Sequence, residues 1–126
     1  VHLLFVYGTL KSGHRNHNHW LSGMSKVAEG YIEGYDMYDL PSAGYPLIAA
    51  GNGQVHGELY VVSDELITRL DRFEANYIRN EVEFIPLSDR SKGVGYDAEV
   101  YVWDNAIPAV AVPVKSGVYT GPVSQS

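Results

Sequence analysis

The stretch Phe5-Val6-Tyr7-Gly8-Thr9-Leu10, FVYGTL, runs from an apolar strand, Leu3 to Val6, directly into Tyr-Gly-Thr without a polar spacer. A strand that only had to end could do so in a loose turn of Ser, Asn or Asp. Glycine at this point permits a tight turn or lets another group approach the main chain closely. Successive N–H groups in such a turn can form a small anion-binding concavity. By themselves the three residues Tyr-Gly-Thr read more readily as a simple tight turn, so the rest of the chain must decide.

The 126 residues suit one domain, residues 1–126, large enough for a core without staples. Hydrophobic residues make up 45% of the chain, which places it among globular rather than disordered proteins. It has no cysteine, so disulfides and thiolate chemistry are excluded, as suits a reducing compartment. A formal charge of -6 with only nine Lys and Arg opposes a phosphate backbone, and no nucleic-acid partner is expected. The apolar segment Ala106 to Val114 is too short for a bilayer and is broken by Pro108 and Pro113, so no membrane partner is expected either. The expected location is the cytoplasm. The chain opens on Val1, so an initiator methionine or short leader is expected to be missing.

A polar, His-rich loop, Lys11 to His19, follows the opening strand. The tyrosine-rich stretch Val27 to Leu40, with Gly30 and Gly34, reads as one or two bent strands, and Ser42 to Pro46 as a turn. Gln54 to Val62 is the clearest strand, with Val55, Gly57, Leu59 and Val61 on one face and Gln54, His56 and Glu58 on the other. Tyr77 to Leu87 and Gly95 to Trp103 read similarly. Many strands with glycine-marked bends predict a curved sheet that closes on itself.

One strong helix is predicted from an N-cap at Ser63, with Asp64 and Glu65 in its first turn and Leu66, Ile67, Leu70 and Phe73 as its apolar stripe. Glu74 lies four residues after Leu70 and seven after Ile67, inside that stripe at about 100° per residue. A carboxylate in a core-facing position needs a partner, a raised pKa, or both. Arg69 and Arg72 point elsewhere on the wheel. The alternative is a helix that ends at Phe73 and turns Glu74 to solvent.

FVYGTLKSG, RNHNHWL, GYPLI, VHGELYVV at Val55 to Val62, LDRFEANYIR at Leu70 to Arg79, and VKSGVY near the end occur here in one order. Together they resemble the γ-glutamylcyclotransferase-like family, in particular the small branch with plant avirulence-induced proteins and γ-glutamylamine cyclotransferases. The resemblance covers most of the chain. It implies an α+β fold, a small closed or partly closed mixed β-barrel with a flanking α-helix. It also implies a cofactor-independent reaction on a small γ-glutamyl substrate, in which the α-amine attacks the γ-carbonyl and 5-oxoproline and an amine are released. On this resemblance Glu74 is the general base, and Tyr7, Gly8, Thr9 and Leu10 supply backbone donors to the substrate. Tyr77 resembles a substrate-side tyrosine of the family. The segment after Phe73-Glu74 is shorter than in many relatives, and the leaving amine is not specified.

Several rival readings remain open. Glu58 is a second candidate base, if its face of the strand lines a barrel interior, but an isolated strand Glu more often pairs across the sheet. His14, His17 and His19 invite a metal, yet His-x-x-His-x-His contains no carboxylate and matches no metal spacing, so no metal is expected. His17 is expected, if anything, to orient the Tyr-Gly-Thr loop. No Gly-x-Ser-x-Gly elbow supports a Ser-His-Asp hydrolase. The main alternative from another class is a binding module that holds a small carboxylate or amine in the same pocket without turning it over.

Overall fold

The computed structural model describes residues 1–14, 16–87 and 95–121. Arg15 of the RNHNHWL stretch and residues 122–126 lie outside the described residues, as does most of the link between the fourth and fifth strands. The long hairpin of β2 (Ser25–Leu40) and β3 (Tyr45–Val62) frames the molecule, paired from Ser25↔Val61 to Leu40↔Tyr45. The bends expected between Val27 and Leu40 are register shifts at Lys26/Ala28 and Glu33/Tyr35 within one strand. Gly34, at φ 88°, sits in the second shift, in a conformation that disfavours a side chain.

β1 (His2–Val6) lies antiparallel to the end of β3, from His2↔Val62 to Val6↔Glu58. Its other edge meets β5 (Tyr96–Trp103) in parallel at Leu4↔Glu99. β4 (Tyr77–Pro86) is antiparallel to β5 and touches β2 at Gly30↔Pro86 and Tyr31↔Ile85. The cycle β3-β1-β5-β4-β2-β3 is therefore a closed five-stranded mixed barrel, and β6 (Val112–Val114) adds to the outer part of β2.

Alternation along each strand divides the side chains between two apolar layers. Phe5, Ile32, Val55, Leu59, Phe84, Val100 and Val102 fill one. Leu4, Val6, Tyr60, Val62 and Tyr101 point the other way, under helix α2 (Asp64–Phe73) and the segment carrying Leu10 and Leu21. The face of β3 that bears Glu58 is thus covered and not a solvent face, because α2 buries Tyr60 and Val62 beside it. Helix α2 starts as its sequence predicts, with the Ser63 hydroxyl accepting from the Leu66 N–H at 3.1 Å. Ile67 and Leu70 are buried, each contributing about 2 kcal/mol. Phe73 departs from the expected stripe: it is 46% exposed and its ring packs, tilted, at 4.9 Å from that of Trp20, the last residue of the short helix α1 (His17–Trp20).

Candidate active site

β1 and β5 run parallel, so their carboxyl ends open at the same end of the barrel, where β3 and β4 begin. A cleft of about 380 Å³ lies there. Its walls are the Tyr7–Leu10 loop after β1, Tyr45 and Pro46 at the start of β3, the Phe73–Tyr77 turn after α2, and Tyr101 of β5. Of the residues singled out in the sequence, it brings together Glu74, Tyr7, Gly8, Thr9, Leu10 and Tyr77, and leaves out Glu58.

Glu74 arrives there by a route that differs from the helical wheel. Helix α2 ends at Phe73, and Glu74 is its C-cap, at φ -92° and ψ 49°. Its N–H donates to Leu70 O at 2.8 Å, while its own carbonyl accepts from Tyr77 N–H at 2.9 Å. A helix C-terminus offers orphan carbonyls and no spare N–H donors, so the carboxylate gains nothing from its own backbone. Three tyrosines surround it, but each hydroxyl donates elsewhere: Tyr7 to Tyr101 O, Tyr77 to Pro46 O, and Tyr101 to Asp71 Oδ1, each at 2.7 Å. Burial, with no donor to it among the described residues, pushes the Glu74 carboxyl up from 4.5 to about 7. Burial is also the first cause that raises all three phenols, and the Glu74 charge adds to it, so they stay protonated near neutrality.

Across the cleft, the loop is buried from Tyr7 through Leu10. Among the described residues, the N–H groups of Gly8, Thr9 and Leu10 donate to no backbone carbonyl. The loop is braced from outside. Asn16 donates through its main chain to Thr9 O at 2.9 Å and through its side chain to Thr9 Oγ1 at 2.8 Å. His17 Nδ1 donates to Leu10 O at 2.9 Å. Gly8 has a different neighbour from the one its sequence suggests: a Cβ there would meet the Pro46 ring at 2.7 Å. Its missing side chain makes room for proline, and its φ is not among the positive values.

Glu58 is 8% exposed and fully bonded. Its carboxylate accepts from Ser12 N–H (2.8 Å), Ser12 Oγ (2.9 Å) and Tyr60 OH (2.8 Å), with Lys26 Nζ at 3.8 Å. Burial works against its charge, but the Ser12 and Tyr60 donors and the Lys26 charge hold its pKa below the ordinary value. The rings of His14, His17 and His19 pack against Tyr119, Tyr60 and Trp20 respectively, so they do not converge. Among the described residues no His/Cys/Asp/Glu group could hold a metal ion, and no helix is long and apolar enough to cross a membrane. Asn16, Pro46, Phe73, Asn76 and Tyr101 are wall residues not expected in the site from the sequence. Pro46 and Asn16 lay within the quoted Tyr-Pro and Asn-His stretches, whereas Tyr101 carried no signal beyond its place on the strand face opposite Val100.

Residues 4–121 match the model of the γ-glutamyl cyclotransferase, AIG2-like family. The chain belongs to this family. Among curated relatives, γ-glutamylaminecyclotransferase of Homo sapiens is 36% identical over 72% of this chain and 67% of the human protein. The γ-glutamylcyclotransferase family protein YtfP of Escherichia coli K12 is 35% identical over 54% of this chain and 58% of its own length, so the match spans little more than half of that relative. Among solved structures, an AIG2-like protein of Mus musculus superposes with a TM-score of 0.74 at 27% identity, over 85% of this chain and 80% of that one. The AIG2-like fold accounts for the barrel with its flanking helix.

Proposed function

We propose that the protein is a γ-glutamyl cyclotransferase with Glu74 as general base and the Tyr7–Leu10 loop as the hydrogen-bond donor to the substrate's anionic oxygens. The observation that carries this reading is a half-buried carboxyl near 7 facing, across one cleft, a loop whose Gly8, Thr9 and Leu10 N–H groups donate to no backbone carbonyl among the described residues, which also offer that carboxyl no hydrogen-bond donor. Family membership supports the acyl class.

The substrate enters with its α-carboxylate on the loop N–H groups, and its α-ammonium toward Glu74. An ordinary carboxylate is a weak base for an α-amine near 8, and a base at about 7 narrows that gap to roughly one unit. Glu74 takes one ammonium proton, and the freed nitrogen attacks the γ-carbonyl carbon, forming the ring C–N bond and placing negative charge on the carbonyl oxygen. Loop N–H groups stabilise that charge. Collapse breaks the bond to the leaving amine, whose nitrogen receives the proton from Glu74; the restored carboxylate then takes the second proton from the ring nitrogen and passes it to the released amine, which departs as an ammonium ion. The products are 5-oxoproline and the amine, and the base is restored. Because nucleophile and electrophile share one molecule, folding it into the cleft supplies the proximity. Phe73, Tyr45 and Tyr77 offer aromatic surface to the leaving amine.

The test is 5-oxoproline release from γ-glutamyl amino acids, glutathione and γ-glutamylamines, with Glu74→Gln beside the wild type. Release that disappears in the variant is expected. A folded wild type that binds these compounds but releases no 5-oxoproline would overturn the enzyme reading in favour of a binding module.

A further inference from the structure

Glu58 stands outside the cleft, yet both ends of the cleft's donor loop rest on it. Where the loop begins, Val6 is the strand partner of Glu58 across the β1–β3 ladder. Where it ends, Ser12 gives both its N–H and its hydroxyl to the two oxygens of the same residue's carboxylate. Five residues, Tyr7 to Lys11, therefore arch between the backbone and the side chain of one glutamate. Within the arch, among the described residues, the one backbone bond is Lys11 N–H to Gly8 O at 3.1 Å, which leaves the Gly8, Thr9 and Leu10 N–H groups to be aimed by its feet. Tyr60 locks the far foot: its hydroxyl donates to Glu58 Oε1, and its ring packs at 5.7 Å on His17, which holds Leu10 O.

We infer that Glu58 is a positioning residue that fixes the spacing and direction of the Gly8–Leu10 N–H donors, acting through Ser12 and never touching substrate. This rests on the cyclotransferase reading for its kinetic consequence, though not for its structural one. The role needs acceptor geometry, not proton transfer. A glutamine at 58 can accept from Ser12 N–H and Tyr60 OH through its carbonyl oxygen, and donate its amide to Ser12 Oγ, so it preserves the arch.

The experiment uses the full chain with Glu58→Ala, Glu58→Gln and Ser12→Ala. It measures steady-state 5-oxoproline release and hydrogen exchange of the residue 8–12 amides. Glu58→Ala is expected to raise KM about tenfold and to lower kcat about tenfold, because the same N–H groups hold the substrate carboxylate and the developing oxyanion, and to speed exchange in 8–12. Glu58→Gln is expected to restore KM and exchange to within about threefold of wild type. Ser12→Ala, at an exposed position that does not threaten folding, is expected to raise KM about two- to threefold and decides the matter if Glu58→Ala does not fold. Wild-type KM and exchange in the alanine variants would overturn the inference, as would a Glu58→Gln variant as inactive as Glu74→Gln. If the wild type releases no 5-oxoproline, the functional reading fails, while the exchange data still decide whether Glu58 holds the arch.

Discussion

Glu58 and Glu74 are two carboxylates withdrawn from water on either side of one loop, and they stand in opposite electrostatic states. Glu58 is the more closed in by surface, yet three donors and a lysine keep it ionised. Glu74 sits at a helix end that offers only carbonyls, beside three hydroxyls already committed to other acceptors, and its pKa climbs to about 7. The difference teaches that burial alone does not raise a carboxyl toward neutrality. What raises it is burial in a place where the sequence withholds donors.

The largest expected effect separates the two at the level of rate. Glu74→Gln should lower kcat by about 10³, the range for loss of a general base, whereas Glu58→Gln should leave it nearly intact. Activity in Glu74→Gln at even a tenth of the wild-type rate would break the comparison. The same substitution has a stability signature. Between 4.5 and about 7 the folded protein keeps a proton on Glu74 that the unfolded chain has released, so this group makes stability fall as pH rises through that window. Glu74→Gln should therefore gain about 2 kcal/mol over wild type at pH 8, relative to pH 4, after discounting the part of the side chain that water reaches. Urea unfolding at the two pH values measures it.

Next in size is the pH dependence of turnover. A base at about 7 predicts an ascending limb centred there, each unit below it lowering kcat about tenfold. Glu58 carries the opposite sign: its lowered pKa contributes stability above the unfolded value of 4.5 that is lost as pH falls through the folded one. Glu58→Gln should thus flatten the acid side of the stability profile and leave the rate limb where it is. A rate limb near 4.5 in the wild type would sink the idea that Glu74 is perturbed as a base.

A smaller effect concerns the loop between them. Gly8→Ala forces the Pro46 ring away from a Cβ contact of 2.7 Å, an overpacking expected to cost about 1–3 kcal/mol and to raise KM with it. Thermal unfolding and KM measured together check this; a higher KM at unchanged stability would mean the glycine makes room for substrate instead of proline.

Much of this contrast was legible in the chain. The Ser63 cap, the alternation of Gln54 to Val62 and the apolar spacing of α2 predicted real elements, because caps and periodicity are local. Glu74 was found by a wheel that put it in the stripe, although its burial comes from the turn that follows the helix. Phe73, assigned to the same stripe, faces the cleft mouth instead, since Trp20 meets it from a distant segment. Glu58 looked like a polar-face residue because nothing in its own strand reveals that α2 will cover Tyr60 and Val62, or that Ser12 will reach back to it. Contacts such as Gly8 with Pro46 and Ser12 with Glu58 depend on a register set 38 and 46 positions along the chain. Local pattern carries no record of them.

The smallest effect asks how firmly Glu74 is deprived of donors. Tyr77 OH lies within the electrostatic reach of Glu74 but donates to Pro46 O at 2.7 Å. If that bond persists during turnover, Tyr77→Phe removes only a brace on the residue that packs against Gly8. Stability should then fall by about 1 kcal/mol, KM rise less than about threefold, and the rate limb stay near 7. A limb that moves upward in Tyr77→Phe would mean that the hydroxyl swings from Pro46 to the Glu74 carboxylate in the working enzyme and lowers its pKa there. Glu74 would then resemble Glu58 for part of the cycle, and the two carboxylates would differ in how long they hold a donor rather than in whether they have one.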